Sequence, residues 1–291
     1  MKFSKLFVVA LIAAVAAIAA TTIGFAAMST SAALAVCDSV VVIESDVARQ
    51  PEDTLPTRNW VLYTRNAGNG TFRSGPGTLP AGFGSFETVT PSPLGSDKVQ
   101  LFNFDHVGTK LADIDKLGYA TYQSSAAVAV QLPAINMTVD FNGPNVAGGF
   151  TTLVFEPVYN TAQGPIVPNT WQTWDAFYGG NAIWWSTRSI PGVCATVCYV
   201  TWDQIVAANP NATILGGYGI NQGSGSPALT ASSDVLTIGS NGECVTYDFE
   251  PFRVATTKDQ CKNGGYNSVK RADGSSFKNQ GDCIQYVNTG K

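Results

Sequence analysis

The stretch NWVLYTRNAGNGTFRSGPGTLPAGFGSFETVT, residues 59–90, holds two short runs of β-branched and aromatic residues on either side of a loop rich in Gly and Pro. Such runs favour strands, and clustered Gly and Pro favour turns. The same alternation continues along most of the chain. Besides the runs at 59–65 and 84–90, the predicted strands are residues 97–104, 117–123, 127–141 with a bend at Pro133, 150–159, 212–220, 228–238 and 244–254.

One segment has the pattern of a helix: Thr201 and Gln204 have capping-box spacing, and Asn209 and Pro210 end the pattern after about two turns. Residues 40–49 form either a first strand or a lead-in to the fold. Charged residues make up only 13% of the 291-residue chain, which contains 29 Gly and 15 Pro. About eleven short strands at this spacing predict an all-β fold, a two-sheet β-sandwich of jelly-roll type.

The N-terminus has the features of an export signal. Lys2 and Lys5 precede an apolar run, and Ala33 and Ala35 occupy the −3 and −1 places of a cleavage site. We therefore predict a signal peptide over residues 1–35 and an extracellular, secreted or surface-associated protein that does not insert into a membrane after cleavage. The alternative is an uncleaved anchor, because the apolar run is long enough to span a bilayer.

All six cysteines lie beyond this signal, as expected for an oxidising compartment. A zinc site is the competing interpretation, but the chain has one histidine, His106, and no CxxC pair. We therefore predict three disulfides. Their partners, paired by spacing and by the expected proximity of the chain ends, are Cys194 with Cys198, Cys261 with Cys283, and Cys37 with Cys244.

The predicted sandwich domain covers residues 36–257, and a polar tail covers residues 258–291. The tail has almost no aliphatic residues, which indicates a disulfide-stapled hairpin without a core of its own. The whole chain carries a formal charge of −4, and loss of Lys2 and Lys5 with the signal gives about −6. This balance argues against a nucleic-acid partner.

Four of the six tryptophans lie within WQTWDAFYGGNAIWWSTR, residues 171–188. Tryptophan is highly buried on average, which favours core packing for all four. As a hairpin closed by residues 179–181, however, the segment would sort its side chains onto two faces, whereas a two-residue turn would mix them. The face predicted to bind a ligand, as an aromatic platform for carbohydrate, comprises Gln172, Trp174, Tyr178, Trp184, Ser186 and Arg188.

The sequence supports a catalytic site less strongly than it supports this binding platform. The candidate acids are Glu156, Asp175, Asp248 and Glu250, spread over three predicted strands and without the closely spaced triplet of sandwich glucanases. No residue is therefore assigned to catalysis. No cofactor is required either, although a structural calcium ion would suit this fold. The carboxylates available for calcium, which the spacing does not distinguish, are Asp97, Asp105, Asp140 and Asp248.

Several phrases resemble a group of secreted bacterial proteins that are β-rich, jelly-roll-like and mostly of unassigned function. They are NWVLYTRN, LFNFDHVGTKLADIDKLGYATY, DFNGP, TTLVFEPVYN and the tail CKNGGY…FKNQGDC, which brackets residues 261–283. The resemblance covers nearly all of the chain beyond the signal. It implies an extracellular β-rich body with a cysteine-bracketed tail but no established activity. The group often has Trp where this chain has Tyr266.

Together these features predict a secreted or surface-associated binding module whose ligand is an extracellular glycan or another cell-surface component. Two alternatives remain open at the level of sequence. One is a glycan-cleaving hydrolase on the same scaffold, and the other is a structural protein of the envelope or matrix. The scarcity of clustered carboxylates favours binding over cleavage.

Overall fold

The computed structural model describes residues 36–143 and 145–291, so the predicted signal peptide lies outside the described residues. Fifteen strands in this part of the chain form two packed sheets. The first sheet contains β1 (Asp38–Val42), β4 (Asn69–Ser74), β5 (Gly84–Thr90), β7 (Ile114–Ser125), β10 (Trp171–Asp175), β14 (Leu229–Ser240) and β15 (Glu243–Phe249). The second sheet contains β2 (Val47–Pro51), β3 (Trp60–Arg65), β6 (Lys98–Asn103), β8 (Ala134–Asp140), β9 (Phe150–Phe155), β11 (Ile183–Ser186), β12 (Val200–Thr201) and β13 (Thr213–Gln222).

Most strand pairs are antiparallel; β1 with β15 and β2 with β3 are parallel. The second sheet runs in the order β12-β11-β9-β8-β13-β6-β3-β2. In the first sheet, β14 pairs with β7 along one edge. Its other edge pairs first with β5 and then with β15. The prediction of an all-β, two-sheet sandwich is confirmed.

The core lies between the sheets and is rich in aromatic residues, because each strand turns alternate side chains inward. Trp60 makes edge-on contacts with Tyr247 and Phe249, at ring-centroid distances of 4.9 and 5.7 Å. At the other end, Trp184 packs against Trp202 at 5.4 Å. Edge-on and tilted packing suits the charge distribution of aromatic rings.

The predicted strands agree with the structure to different degrees. The run at 84–90 matches β5, and the run at 59–65 matches β3 except for its first residue. The single strand predicted over 127–141 is wrong in its first half, because residues 127–133 form a loop before β8 begins at Ala134. The short strands β4 and β12 were not predicted.

Three α-helices lie in the described residues. The first, α1 (Trp202–Ala208), has the predicted capping box between Thr201 and Gln204. The others, α2 (Lys258–Cys261) and α3 (Gln280–Thr289), lie in the tail. No helix in the described part of the chain is both long and apolar enough to cross a membrane.

The hairpin predicted for the tail is wrong, because the segment is helical and has a small core. Thr257 and Asn279 cap α2 and α3 through their side-chain oxygens, which accept backbone N–H groups left free at the helix starts. The two buried cysteines, Cys261 and Cys283, pack in a cluster with Phe277. A few apolar residues among many polar ones thus suffice once a disulfide joins the two helices.

All three predicted disulfides are present. Cys37 bonds Cys244, Cys194 bonds Cys198, and Cys261 bonds Cys283. The first joins the residue just before β1 to β15, across the parallel pair that β1 forms with that strand. None of the six cysteines is free.

Candidate functional site

The tryptophan-rich segment does not form the predicted hairpin. Residues 171–175 form β10, which pairs with β7 in the first sheet, whereas residues 183–186 form β11, which pairs with β9 and β12 in the second. The two strands are joined by a turn at Tyr178–Gly180 that carries the chain from one sheet to the other. The assignment of side chains to two faces, which assumed a single hairpin, is therefore wrong.

The predicted platform is not formed, because its two indoles are in the core. Trp174 is 1% exposed and Trp184 is 0% exposed. Their ring N–H groups donate to Thr121 Oγ1 and to the carbonyl of Ala176, so both polar atoms are satisfied inside the protein. Ser186, on the same predicted face, is also buried.

The other members of that set lie apart from one another. The side chain of Gln172 bonds the backbone of Val167 and Pro165 and so holds a nearby loop. Tyr178 is exposed at the turn. The guanidinium of Arg188 lies over the ring of Phe150, 4.7 Å from its centroid.

A different surface cleft combines aromatic rings with polar groups, and we call it the Trp185 cleft. Five parts of the chain line it: residues 128–132, 156–159, 185, 197–199 and 224–226. Its volume is about 480 Å³, within the range of small-molecule sites. Trp185, assigned to the core from sequence, lies in its wall instead.

Strand pairing explains how Trp185 reaches the surface. Trp185 lies opposite Val154 of β9, so both side chains project from the outer face of the sheet, while Trp184 projects inward. Glu156 follows two residues after Val154 and shares this face. The Trp185 ring N–H donates to Glu156 Oε2 at 2.8 Å, which fixes the indole against the carboxylate.

The 3-10 turn at Pro157–Tyr159 is held in place by Asn160, which is 5% exposed. Its side-chain amide donates to the carbonyls of Glu156 and Ile183, and its oxygen accepts from the Ile183 N–H at 2.7 Å. A buried amide that makes all three bonds ties the turn to β11. The positions of Glu156 and Tyr159 relative to Trp185 are therefore built into the fold.

Two tyrosines form the outer part of the cleft. The rings of Tyr159 and Tyr199 lie 4.3 Å apart between centroids, and the side chains are 42% and 51% exposed. The hydrogen bond with Tyr199, with a smaller effect of burial, raises the pKa of Tyr159 to about 12. Both the pairing and the exposure suit stacking on a ligand that arrives from solvent.

Glu156 is the carboxylate of this cleft. Burial raises its pKa, and the bond from Trp185 partly opposes that shift. Its second oxygen, Oε1, has no hydrogen-bond partner among the described residues. The carboxyl group can therefore accept a bond from a bound molecule.

Buried side chains also shape the wall made by residues 128–132. Gln123, 3% exposed, donates to the carbonyls of Ala129 and Gln131. The hydroxyl of Tyr119 donates to the carbonyl of Pro133 at 2.6 Å. These bonds present Val128 and Val130 to solvent, where they are 44% and 50% exposed.

The other predicted acids do not belong to this cleft. Asp175 accepts from the backbone N–H groups of Phe177 and Tyr178 and so shapes a turn. Asp248 and Glu250 are 8% and 2% exposed. They are buried beneath the loop before β5, where Glu250 Oε1 accepts from the Phe83 N–H at 2.8 Å.

These two acids form a buried cluster with Asp234, which is 0% exposed. The cluster lies where β14 changes its partner from β5 to β15, and Asp234 Oδ1 accepts from the Phe249 N–H there. Burial raises the pKa of Asp234 to about 8 and that of Glu250 to about 7, and it also raises the pKa of Asp248. At neutral pH the cluster therefore retains protons.

Gly82 lines the carboxylate cluster at a φ of +50°, a conformation that favours glycine. A Cβ there would collide with Glu250.

Metal-binding groups of three or more His, Cys, Asp or Glu side chains are not found in the described part of the chain. Of the carboxylates considered for calcium, Asp97 accepts from the backbone N–H groups of Ala67 and Ser92. Asp140 accepts from the Asn142 N–H. The oxygens of Asp97 and Asp140 thus bind backbone groups of the protein, and these two residues do not form a calcium site.

His106 Nε2 is 2.9 Å from the Tyr247 hydroxyl, and burial lowers the pKa of its ring.

A second cleft of about 460 Å³ lies on the outer face of the second sheet, beneath the loop at residues 52–56. Its aromatic residues include Tyr63, Phe102 and Phe150. Glu52 there bonds both Lys98 and Arg65, whereas Asp53 is exposed to solvent. The Trp185 cleft instead holds a half-buried carboxylate against an indole N–H beside two exposed tyrosine rings, which makes it the stronger candidate.

Comparisons with family models, with curated proteins and with solved structures find no match to this chain. The candidate site therefore rests on its own geometry.

Proposed function

We propose that the protein is an extracellular glycan-binding module and that the Trp185 cleft is its binding site. The observation that carries the proposal is the convergence of Trp185, Tyr159 and Tyr199 on a carboxylate with a free oxygen. Sugar rings present C–H faces that stack on aromatic rings, and their hydroxyl groups donate to carboxylate and amide oxygens. The cleft offers both kinds of contact.

Binding is favoured over cleavage by the number of acids in the cleft. Glycosidases of the usual kind need two carboxyl groups on either side of the scissile bond. Among the described residues that line the Trp185 cleft, Glu156 is the one carboxylate. The Asp248 and Glu250 pair is buried beneath a loop and cannot supply the second group to a ligand in this cleft.

Three disulfides support the extracellular part of the proposal, because such bonds form and persist in oxidising compartments. We also propose that the chain belongs to the group of secreted β-rich bacterial proteins that its sequence resembles. In this chain, the cysteine-bracketed tail on which that resemblance mainly rests contains the disulfide between α2 and α3.

The test is a glycan panel measured by isothermal titration calorimetry on wild type and three variants. We expect Trp185→Ala and Tyr159→Ala to weaken binding at least about tenfold, because each removes a stacking surface worth on the order of 1.4 kcal/mol. Tyr178→Ala is the matched control, since Tyr178 is 44% exposed and lies outside the cleft. Loss of binding in the control but not in the cleft variants would contradict the proposal.

A further inference from the structure

The charge of the Trp185 cleft restricts the kind of glycan that it can bind. Among the described residues that line it, Glu156 is the one carboxyl group, and no Lys, Arg or His is present. The lining combines ring and aliphatic surfaces, which hydrate a carboxylate poorly, with the neutral polar side chains of Gln131, Ser224 and Ser226. A ligand that brings a positive group to Oε1 would therefore be attracted, and one that brings a carboxylate or sulfate would be repelled.

The segments packed around Glu156 contain no cation that already neutralises it. Trp185 donates a neutral N–H, and the raised pKa of Tyr159 keeps its hydroxyl group uncharged at neutral pH. Residues 128–132 are not ionisable. At the far rim, Arg65 bonds the Ser224 side chain, but its guanidinium is also paired with Glu52.

Aromatic rings beside the carboxylate strengthen the same preference. An ammonium group over the face of Trp or Tyr is attracted by the ring quadrupole, by about 0.5–2 kcal/mol according to its exposure. Trp185, Tyr159 and Tyr199 border the carboxylate in the same cleft. Anion-binding sites lack this combination, whereas sites for protonated amines use it.

The sandwich domain as a whole is also negatively charged, like the carboxylate in the cleft. Residues 36–257 contain nine Lys and Arg against eighteen Asp and Glu, a formal charge of −9. A negative body raises the local concentration of cationic ligands and speeds their association at low ionic strength.

We propose that the Trp185 cleft selects glycans with free amino groups over neutral and acidic glycans, through an ion pair between the sugar ammonium and Glu156. This inference rests on the proposed function, because it specifies the ligand of the same site. The sugar ring would stack on the tyrosines and the indole while its ammonium group binds Oε1. An N-acetyl group in place of the ammonium would remove the positive charge and leave the ring contacts.

The experiment compares two hexamers with the same backbone, one of glucosamine and one of N-acetylglucosamine. Calorimetry at about pH 6 and low salt keeps most of the sugar amines protonated. We expect wild type to bind the glucosamine hexamer at least about tenfold more tightly, a difference of about 1.4 kcal/mol. The preference should shrink in salt, because exposed charge pairs are screened.

Glu156→Gln should lose the preference for the glucosamine hexamer, and a circular dichroism spectrum and a cooperative unfolding transition like those of wild type show that the variant is folded. Glu243→Gln is the matched control, because it removes one exposed carboxylate elsewhere and should keep the preference. Equal affinity of wild type for the two hexamers, with binding that still depends on Trp185, would overturn this inference and leave the proposed function intact. If neither hexamer and no glycan of the wider panel binds, both this inference and the proposed function are overturned.

Discussion

Neighbouring tryptophans on β11 belong to different environments. Trp184 is buried between Phe155 and Trp202, at ring-centroid distances of 5.6 and 5.4 Å. Trp185, the next residue, lies on the outer face and bonds Glu156. The alternation of side chains along a strand therefore places one indole in the core and the next one in the wall of the cleft.

Alanine substitutions should separate these two roles. Trp184→Ala should lower the free energy of unfolding by about 3–5 kcal/mol, because it leaves a large cavity in the core. Trp185→Ala should cost much less stability and lose glycan affinity instead. Urea denaturation of both variants, monitored by circular dichroism, measures the first effect. A Trp184→Ala midpoint equal to that of wild type would contradict the burial on which this distinction rests.

The burial of Asp234 predicts that the stability of the fold depends on pH. Its pKa is raised to about 8 in the folded state by burial, whereas an unfolded aspartate titrates near 3.8. The folded protein thus binds a proton that the unfolded chain releases between these values, so stability falls as pH rises through that window. Glu250, with a pKa raised to about 7, acts in the same direction.

Asp234→Asn should weaken this pH dependence, because the amide oxygen can still accept the Phe249 N–H and no charge must be buried. At about pH 8 we expect the variant to melt at least roughly 2 °C above wild type, and at about pH 4 the difference should vanish. Differential scanning calorimetry across this range measures the change. The exposed Glu243→Gln serves as the control, and an Asp234→Asn curve parallel to that of wild type would refute the explanation.

At the scale of elements, the loop closed by Cys194 and Cys198 shapes one wall of the cleft. The disulfide closes a ring that contains Val197 and directly precedes Tyr199. Tyr199 in turn leads into β12, which pairs with β11. The bond therefore restricts a segment whose side chains contact the ligand in the proposed complex.

Replacing Cys194 and Cys198 together by Ser should reduce glycan affinity several-fold with little change in the cooperativity of unfolding. A closed loop this short constrains the unfolded chain by only about 2 kcal/mol, but its mobility in the folded state adds an ordering cost to binding. Calorimetric titration measures the affinity. The tail pair replaced in the same way, Cys261→Ser with Cys283→Ser, should leave affinity unchanged, since neither cysteine lines the cleft. The reverse pattern would contradict the assigned role of the loop.

The local sequence predicted the positions of strands and helices better than it predicted which strands pair with each other. The run at residues 84–90 becomes β5, and Thr201 with Gln204 caps α1, because both patterns depend on neighbours in the chain. The hairpin prediction for the tryptophan-rich segment failed because its two strands pair with β7 and β9, in different sheets. No local periodicity carries that information, and register decides which indole is buried.

The residues of the Trp185 cleft were harder to predict than the strands for the same reason. Glu156 was among the candidate acids, but Trp185 was assigned to the core, and Tyr159 and Tyr199 were not singled out. They meet through the pairing of β9, β11 and β12, which brings together residues some 40 positions apart. Tyr199 had a weak indication in the sequence, since it directly follows a cysteine of a short disulfide loop.

For the whole molecule, the sandwich provides a rigid frame on which distant loops meet. The Trp185 cleft takes its lining from segments between residues 128 and 226, and buried side chains such as Asn160 and Gln123 fix those segments. A site held this way needs little ordering when a ligand binds, which favours affinity. The loops of the sandwich itself thus form the cleft that we propose to bind glycans.

The most direct measurement is a crystal structure of residues 36–291 grown with the tightest-binding oligosaccharide of the panel. We expect sugar density in the Trp185 cleft, with one ring stacked on Tyr159, Tyr199 or Trp185 and a polar group within hydrogen-bond distance of Glu156 Oε1. Ordered sugar confined to another surface, such as the cleft beneath residues 52–56, with the Trp185 cleft empty at saturating ligand, would contradict it.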